Sequence, residues 1–339
     1  MPNTKPMTEI IVVILGIALL LYVLLGGADF GAGILELFTG GKASGIVTRA
    51  IAPVWEANHV WLILVVVILF VGFPLVYSTI LTVFHIPVLL ALIGIIMRGS
   101  AFTFRHYDID EETPKAIYSA IFRWSSLFTT FFLGITLGGI ILGKITLDYS
   151  QGFYNVYIAP WLNWFCMSIG IFLILLFSFL ANIYVLGEAK EQEDINRFSQ
   201  TAKWLIVFLV VSGAVVFLTA EIYDHQLFSE FYSSVVSVSA IVLSTIAMPF
   251  LWMNLKARKP NLVRFIAGFQ TTMIVTGWFA IQFPVIVTIQ GGQSISVYNS
   301  SAPQQTQFYM LIALVVGILI IFPSMAYLYK TFKFNGSSH

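Results

Sequence analysis

The stretch IAPVWEANHVWLILVVVILFVGF, residues 51–73, decides the class of fold. From Ile63 to Phe73 it is apolar without a charge, and with the turn before it it reaches the roughly 20 residues that a helix needs to cross a bilayer core. Its first half sets Glu56, Asn58 and His59 between Trp55 and Trp61. A carboxylate and a histidine carried into a membrane need a partner, a cavity or a chemical task, because an ionisable group at the centre of a span costs about 2.5–3.5 kcal/mol on insertion scales.

The rest of the chain has the same character. Hydrophobic residues make up 58% and charged residues 10%, against about 45–50% and about 25% in soluble domains, and the mean hydropathy is +0.91. This is the composition of a polytopic membrane protein. A net charge of +1 provides no field for nucleic acid, so the expected partners are lipid, other helices and a small lipophilic molecule. The single cysteine, Cys166, excludes disulfides and CxxC chemistry within the chain, and its apolar surroundings in the sequence predict a packed, inert thiol. The apolar run after Lys5 has no small-residue cleavage site before its polar residues, so it reads as a retained first span.

Nine windows are apolar over about 20 residues: 8–37, 50–72, 76–102, 117–143, 158–187, 203–222, 234–254, 262–289 and 307–330. The expected fold is therefore an all-α polytopic membrane protein of nine transmembrane helices, forming one integral membrane domain over residues 1–339 without a soluble domain. Of the 17 basic residues, all but Lys5 and Lys144 fall in or beside the odd-numbered connections and the C-terminal tail. The positive-inside rule then places the N-terminus outside and the C-terminus in the cytoplasm. Pro53 suits the first turn of the second span, and the hydrophilic runs 108–115 and 187–197 read as solvated connectors.

Few ionisable residues lie inside the windows. Asp29, in GGADFGAGIL (residues 26–35), shares a helix face with Gly26, Gly33 and Glu36 at i−3, i+4 and i+7. Glycines admit a neighbouring backbone, so this carboxylate is expected to point into a helix interface, either bonding a neighbouring helix or handling a proton or ion. The pairs Gly27/Gly31 and Gly139/Gly143 add small-residue spacings that mark packing. Glu56 and His59, at i and i+3, are near enough to share a proton, and with Asp29 they fall in the half of the membrane assigned to the cytoplasmic side. Trp55 and Trp61 read as an interfacial aromatic belt. His85, beside Pro87, is the best lone candidate for a haem or metal ligand, yet no other histidine makes a ligand-spaced pair with it. Glu221, Asp224 and His225 mark the outer end of the sixth span.

Three stretches together resemble subunit II of the cytochrome bd-type quinol oxidases. GGADFGAGIL resembles that family's acid and glycine motif, and IAPVWEANHVWL resembles its I-A-P-x-W-[DE]-x-N-x-V-W-L motif, which FPLVYSTI (residues 73–80) continues. FPVIV (residues 283–287), the Ser/Thr-rich connection after it, and FPSMAYLY near the C-terminus fit as well. The resemblance implies a haem-free subunit, not catalytic alone, of a quinol:dioxygen oxidoreductase in the plasma membrane of a prokaryote. On that reading haem b and haem d reside on a partner subunit I, so no metal or haem ligand is expected in this chain. A small single-span accessory subunit, membrane quinol and a bound quinone are further expected partners. Glu56 matches the motif acid associated with a proton path toward the haems, with Trp55 and Asn58 as its neighbours and Asp29 and His59 as helpers. Two departures stand out: the motif acid is often aspartate, and many relatives carry an acid where this chain has Gly26. The rival classes are a proton-coupled secondary transporter and a purely structural assembly subunit.

Overall fold

The structure, a computed structural model, describes residues 5–39, 45–47, 55–107, 115–223 and 225–331. Pro53, the acid-rich run 108–114, Asp224 and the basic residues Lys42, Arg49 and Lys333 lie outside them. The chain forms helices α1 (Lys5–Leu21) and α2 (Gly27–Thr39), joined by a π-helical turn Tyr22–Gly26 into one 35-residue rod, then α3 (Trp55–Asn58), α4 (Val60–Gly72), α5 (Pro74–Val83), α6 (His85–Tyr107) and α7 (Lys115–Leu142). After the short α8 (Gly152–Tyr157) come α9 (Trp164–Leu186), α10 (Gln192–Ile222), α11 (Leu227–Ser233), α12 (Val235–Lys256), α13 (Pro260–Gln282) and α14 (Gln304–Tyr329). A helix stands in each of the nine apolar windows. Among the described residues, eight helical stretches are long and apolar enough to cross a membrane. Helix α13, in the eighth window, is not one of them, and it carries Gln270, Thr271 and Thr272 at its middle.

The sixth window's helix starts early, at Gln192 inside the run 187–197 that reads as a connector, and three other windows depart from the sequence reading for a local reason each. The third is bent at Phe84 between α5 and α6, because Pro87 has no N–H to offer the carbonyl four residues back. The fifth starts in a turn that follows α8, and its spanning helix begins only where the Asn163 side chain accepts from the Cys166 N–H at 2.9 Å, capping α9. The eighth ends at Gln282, since Pro284 cannot continue a helix. Beyond it Val285–Val287 (β1) pairs antiparallel with Ile295–Ser296 (β2), so the only strands among the described residues sit in a connection of an otherwise helical chain.

Close backbone approach builds the centre of the bundle. A Cβ on Gly31 of α2 would collide with the Phe177 carbonyl of α9, and one on Gly134 of α7 would stand 2.6 Å from the Gly170 Cα of α9. Only glycine fits at such crossings. Gly33 likewise leaves room for Ser126 of α7, so α2 is held between α7 and α9. Cys166 is fully buried beside the Pro160 carbonyl. Helices α12 and α13 run as a pair, tied where Ser237 donates to the Gly277 carbonyl (2.8 Å) and Gln270 to the Ser244 carbonyl (3.1 Å). Helix α14 is anchored at one end by Thr8, whose hydroxyl donates to the Gln307 side chain at 3.0 Å.

Candidate functional site

Span one supplies two acids one heptad apart, Asp29 and Glu36, and α6 supplies two arginines one heptad apart, Arg98 and Arg105. Seven residues are two turns of helix, so each pair projects from one face of its helix. Bundle packing sets the two faces against each other. Arg105 forks onto Glu36 with Nη–Oε distances of 2.9–3.3 Å, and both side chains are buried. Arg98, only 2% exposed, interacts electrostatically with Asp29 and donates from Nη1 to His59 Nε2 at 3.3 Å. Asp29 in turn accepts from the Asn58 amide at 2.9 Å.

Aromatic faces complete the enclosure of these charges. The Arg98 guanidinium lies 4.7 Å from the Phe30 ring centre and 5.3 Å from that of Phe122, and Arg105 lies 4.6 Å from the same Phe122 ring. Such cation–π contacts strengthen as water is excluded. His59 sets its ring edgewise on Phe30 (5.5 Å) and on Trp55 (6.4 Å), and Trp55 packs on Phe102. Around the seam the Tyr22 hydroxyl, His59 Nδ1 and Arg98 Nε are buried polar atoms with unused hydrogen-bonding capacity among the described residues. Tyr22 opens the π turn, a local widening of a helix that recurs at functional positions.

The five residues singled out by the sequence thus fall into two groups. Asp29, Asn58, His59 and Trp55 converge on one buried seam. Glu56, one turn ahead of His59 in the short helix α3, points out of the chain and is exposed. No side-chain hydrogen bond or ion pair joins Glu56 to His59 among the described residues: the histidine ring has turned toward Arg98, whose guanidinium is a donor only and so makes Nε2 the acceptor. Trp61 is 4% exposed and packs on Phe322 of α14, so it belongs to the core and not to an interfacial belt. His85 is exposed at the start of α6, not deep in a span, with its ring nitrogen 2.9 Å from the Thr82 carbonyl and its ring edge on Tyr157. Among the described residues no three His, Cys, Asp or Glu side chains come together as a metal site.

What the sequence reading missed is Arg98 and Arg105, counted there as charges of a connection. The signal was present in the matched seven-residue spacing of acids in span one and arginines in span three. The arrangement can hold opposite charges in a dry bundle and present polar atoms inward from an exposed carboxylate.

Comparison with known proteins bears on the same residues. The family model described as cytochrome bd terminal oxidase subunit II matches residues 7–332. The chain is similar to cytochrome bd ubiquinol oxidase subunit 2 of Bacillus subtilis (strain 168), 21% identical over 313 residues that cover 91% of this chain and 90% of the relative. It is also similar to cytochrome bd-I ubiquinol oxidase subunit 2 of Escherichia coli (strain K12), 27% identical over 132 residues, 38% of this chain and 35% of the relative. The fold superposes on a chain of the bd oxidase of Geobacillus thermodenitrificans with a TM-score of 0.78 and 18% identity, covering 97% of this chain and 99% of that one. With a match that runs through both acid-bearing motifs and nearly the whole length, the chain belongs to the cytochrome bd terminal oxidase subunit II family.

Proposed function

We propose that this chain is the haem-free second subunit of a bd-type quinol:dioxygen oxidoreductase and that it brings protons from the cytoplasm toward the partner subunit. The observation that carries the reading is the buried polar seam of Asp29, Asn58, His59 and Arg98 lying directly behind the exposed Glu56. Glu56 takes the proton at the mouth. Tyr22, His59 and Asp29 offer polar atoms deeper in the bundle, and Arg98 keeps the charge of Asp29 tolerable there. The orientation that puts Glu56 on the cytoplasmic side, with the N-terminus outside, rests on the distribution of basic residues. One integral domain over the whole chain is part of the same reading.

His59 does not suit a haem, because a metal cation at its Nε2 would face the Arg98 guanidinium. This supports placing haem b and haem d on subunit I, where they supply the redox chemistry that reduces dioxygen to water with electrons from membrane quinol. A small accessory subunit and a bound quinone are compatible with this assembly.

The test is a tagged complex purified in mild detergent. Haem b and haem d bands with a larger co-purifying membrane subunit are expected, and a colourless solitary chain from a haem-containing membrane would overturn the oxidase reading. In the intact complex Glu56→Gln is expected to slow oxygen consumption about tenfold or more while haem content stays constant. Unchanged turnover would remove Glu56 from the path.

A further inference from the structure

Two apolar cavities run in series through the part of the bundle built by α9, α10, α12 and α13. The outer one, about 240 Å³, has Val210 of α10 and Ile241 and Thr245 of α12 in its wall, and all three are exposed on the outside of the bundle. The inner one, about 200 Å³, has no exposed residue in its wall and reaches Leu19 and Val23 of span one, beside the π turn. The two share Phe172, Leu176, Gly213, Phe217, Phe231 and Ile274, so they adjoin across these residues, of which Gly213 is the smallest.

The chemistry of the walls selects the occupant. Of the side chains lining the inner chamber only Trp278 bears a polar atom, a single N–H. A water molecule needs about two to four polar partners, so the chamber is dry. An apolar cavity of about 150 Å³ in a protein interior stays empty of water and takes up xenon. Neither chamber has a charged side chain in its wall, so nothing anchors a phospholipid headgroup at the mouth. A small uncharged molecule that partitions into the bilayer meets none of these objections.

We propose that the paired chambers are a binding site for dioxygen taken from the bilayer. The identity of the gas rests on the oxidase reading above; the selection for a small apolar gas does not. The probe is xenon, applied under pressure to the purified complex and located by crystallography or electron microscopy. Xenon is expected in both chambers of the unaltered complex. Gly213→Leu, which sets a side chain where the two chambers adjoin, is expected to empty the inner chamber, and Leu173→Trp, which fills the inner chamber itself, to do the same independently. Gly213→Ala is expected to retain xenon, because its methyl would stand 3.6 Å from the Phe172 ring, an ordinary contact. None of these residues belongs to the polar seam, so the haem spectrum and melting temperature of each variant complex certify its fold. Chambers without xenon, or threaded by a lipid or quinone chain, in a complex that still consumes oxygen would overturn the inference and leave the oxidase reading intact. Xenon in both chambers of a complex with no haem and no oxygen uptake would instead remove dioxygen as the occupant and sink the oxidase reading.

Discussion

The seam between α2 and α6 and the chambers between α9, α10, α12 and α13 are opposite solutions within one bundle. The seam gathers charges, aromatic rings close over both guanidiniums, and glycines bring α2, which carries the acids, against α7 and α9. The other side gathers leucine, isoleucine, valine and phenylalanine, and it is hollow. The difference follows from the solvent. In a bilayer an unpaired charge is costly, so each carboxylate of the seam is met by a donor. An apolar face gains little from meeting another apolar face when lipid is the alternative, and gaps there are cheap.

The contrast is open to attack at several points. The largest effect is expected at Arg105→Leu, which leaves the Glu36 carboxylate buried without its fork. Breaking such a pair costs about 3–5 kcal/mol, read as a lower melting temperature and yield of the complex. The double variant Glu36→Leu with Arg105→Leu should recover most of the loss, and a double variant as unstable as the single one would show that the pair is not what holds the seam.

Two glycines then set the regions directly against each other. Gly31→Ala drives a methyl into the Phe177 carbonyl and is expected to cost about 1–3 kcal/mol, the usual range for overpacking. Gly213→Ala, where the two chambers adjoin, is expected to be neutral or stabilising by up to about 1 kcal/mol, since alanine is the better helix former. Thermal unfolding of the two variants decides; equal costs would mean that the chambers are as tightly packed as the crossing of α2 with α9.

The smallest effect is a pH dependence beyond the bilayer. Burial holds the His225 imidazole below its ordinary pKa, aided by the charge of Lys144 and opposed by Glu230. The folded state therefore favours neutral His225, and its contribution to stability is present above the unfolded value of about 6.5 and is lost as pH falls from there through the lower folded value. His225→Phe should flatten the pH dependence of melting on the acid side of 6.5. A slope identical to that of the unaltered complex would exclude this histidine.

Sequence alone carried the helical membrane architecture, because hydropathy over about 20 residues depends on composition and not on neighbours. Helix ends were less legible where one residue decides them, as Pro87 bends the third span and Asn163 delays the fifth. The seam was half legible. Asp29 announced itself by its glycines, but the partner of His59 could not be read, because spacing along one helix offered Glu56 and packing between helices chose Arg98. Hydropathy also cannot separate an arginine that reaches for water from one folded inward, which is why Arg98 and Arg105 passed as charges of a connection. Trp61 illustrates the same limit for tryptophan, whose interfacial and core positions look alike in sequence.

The π turn at Tyr22–Gly26 bears on how such a chain can change. It amounts to one residue more than a regular helix would use, accommodated without breaking the rod. Because the turn absorbs that residue, deleting one residue within it would leave a regular continuous helix with Lys5–Leu21 and Gly27–Thr39 still in phase. The Thr8 tether to α14 and the Asp29 bond to Asn58 could then still be satisfied together. Length is thus under constraint unevenly along this span: a single-codon deletion at residues 22–26 is absorbed, whereas one in the regular turns on either side rotates the two ends by about 100° and sets them against each other.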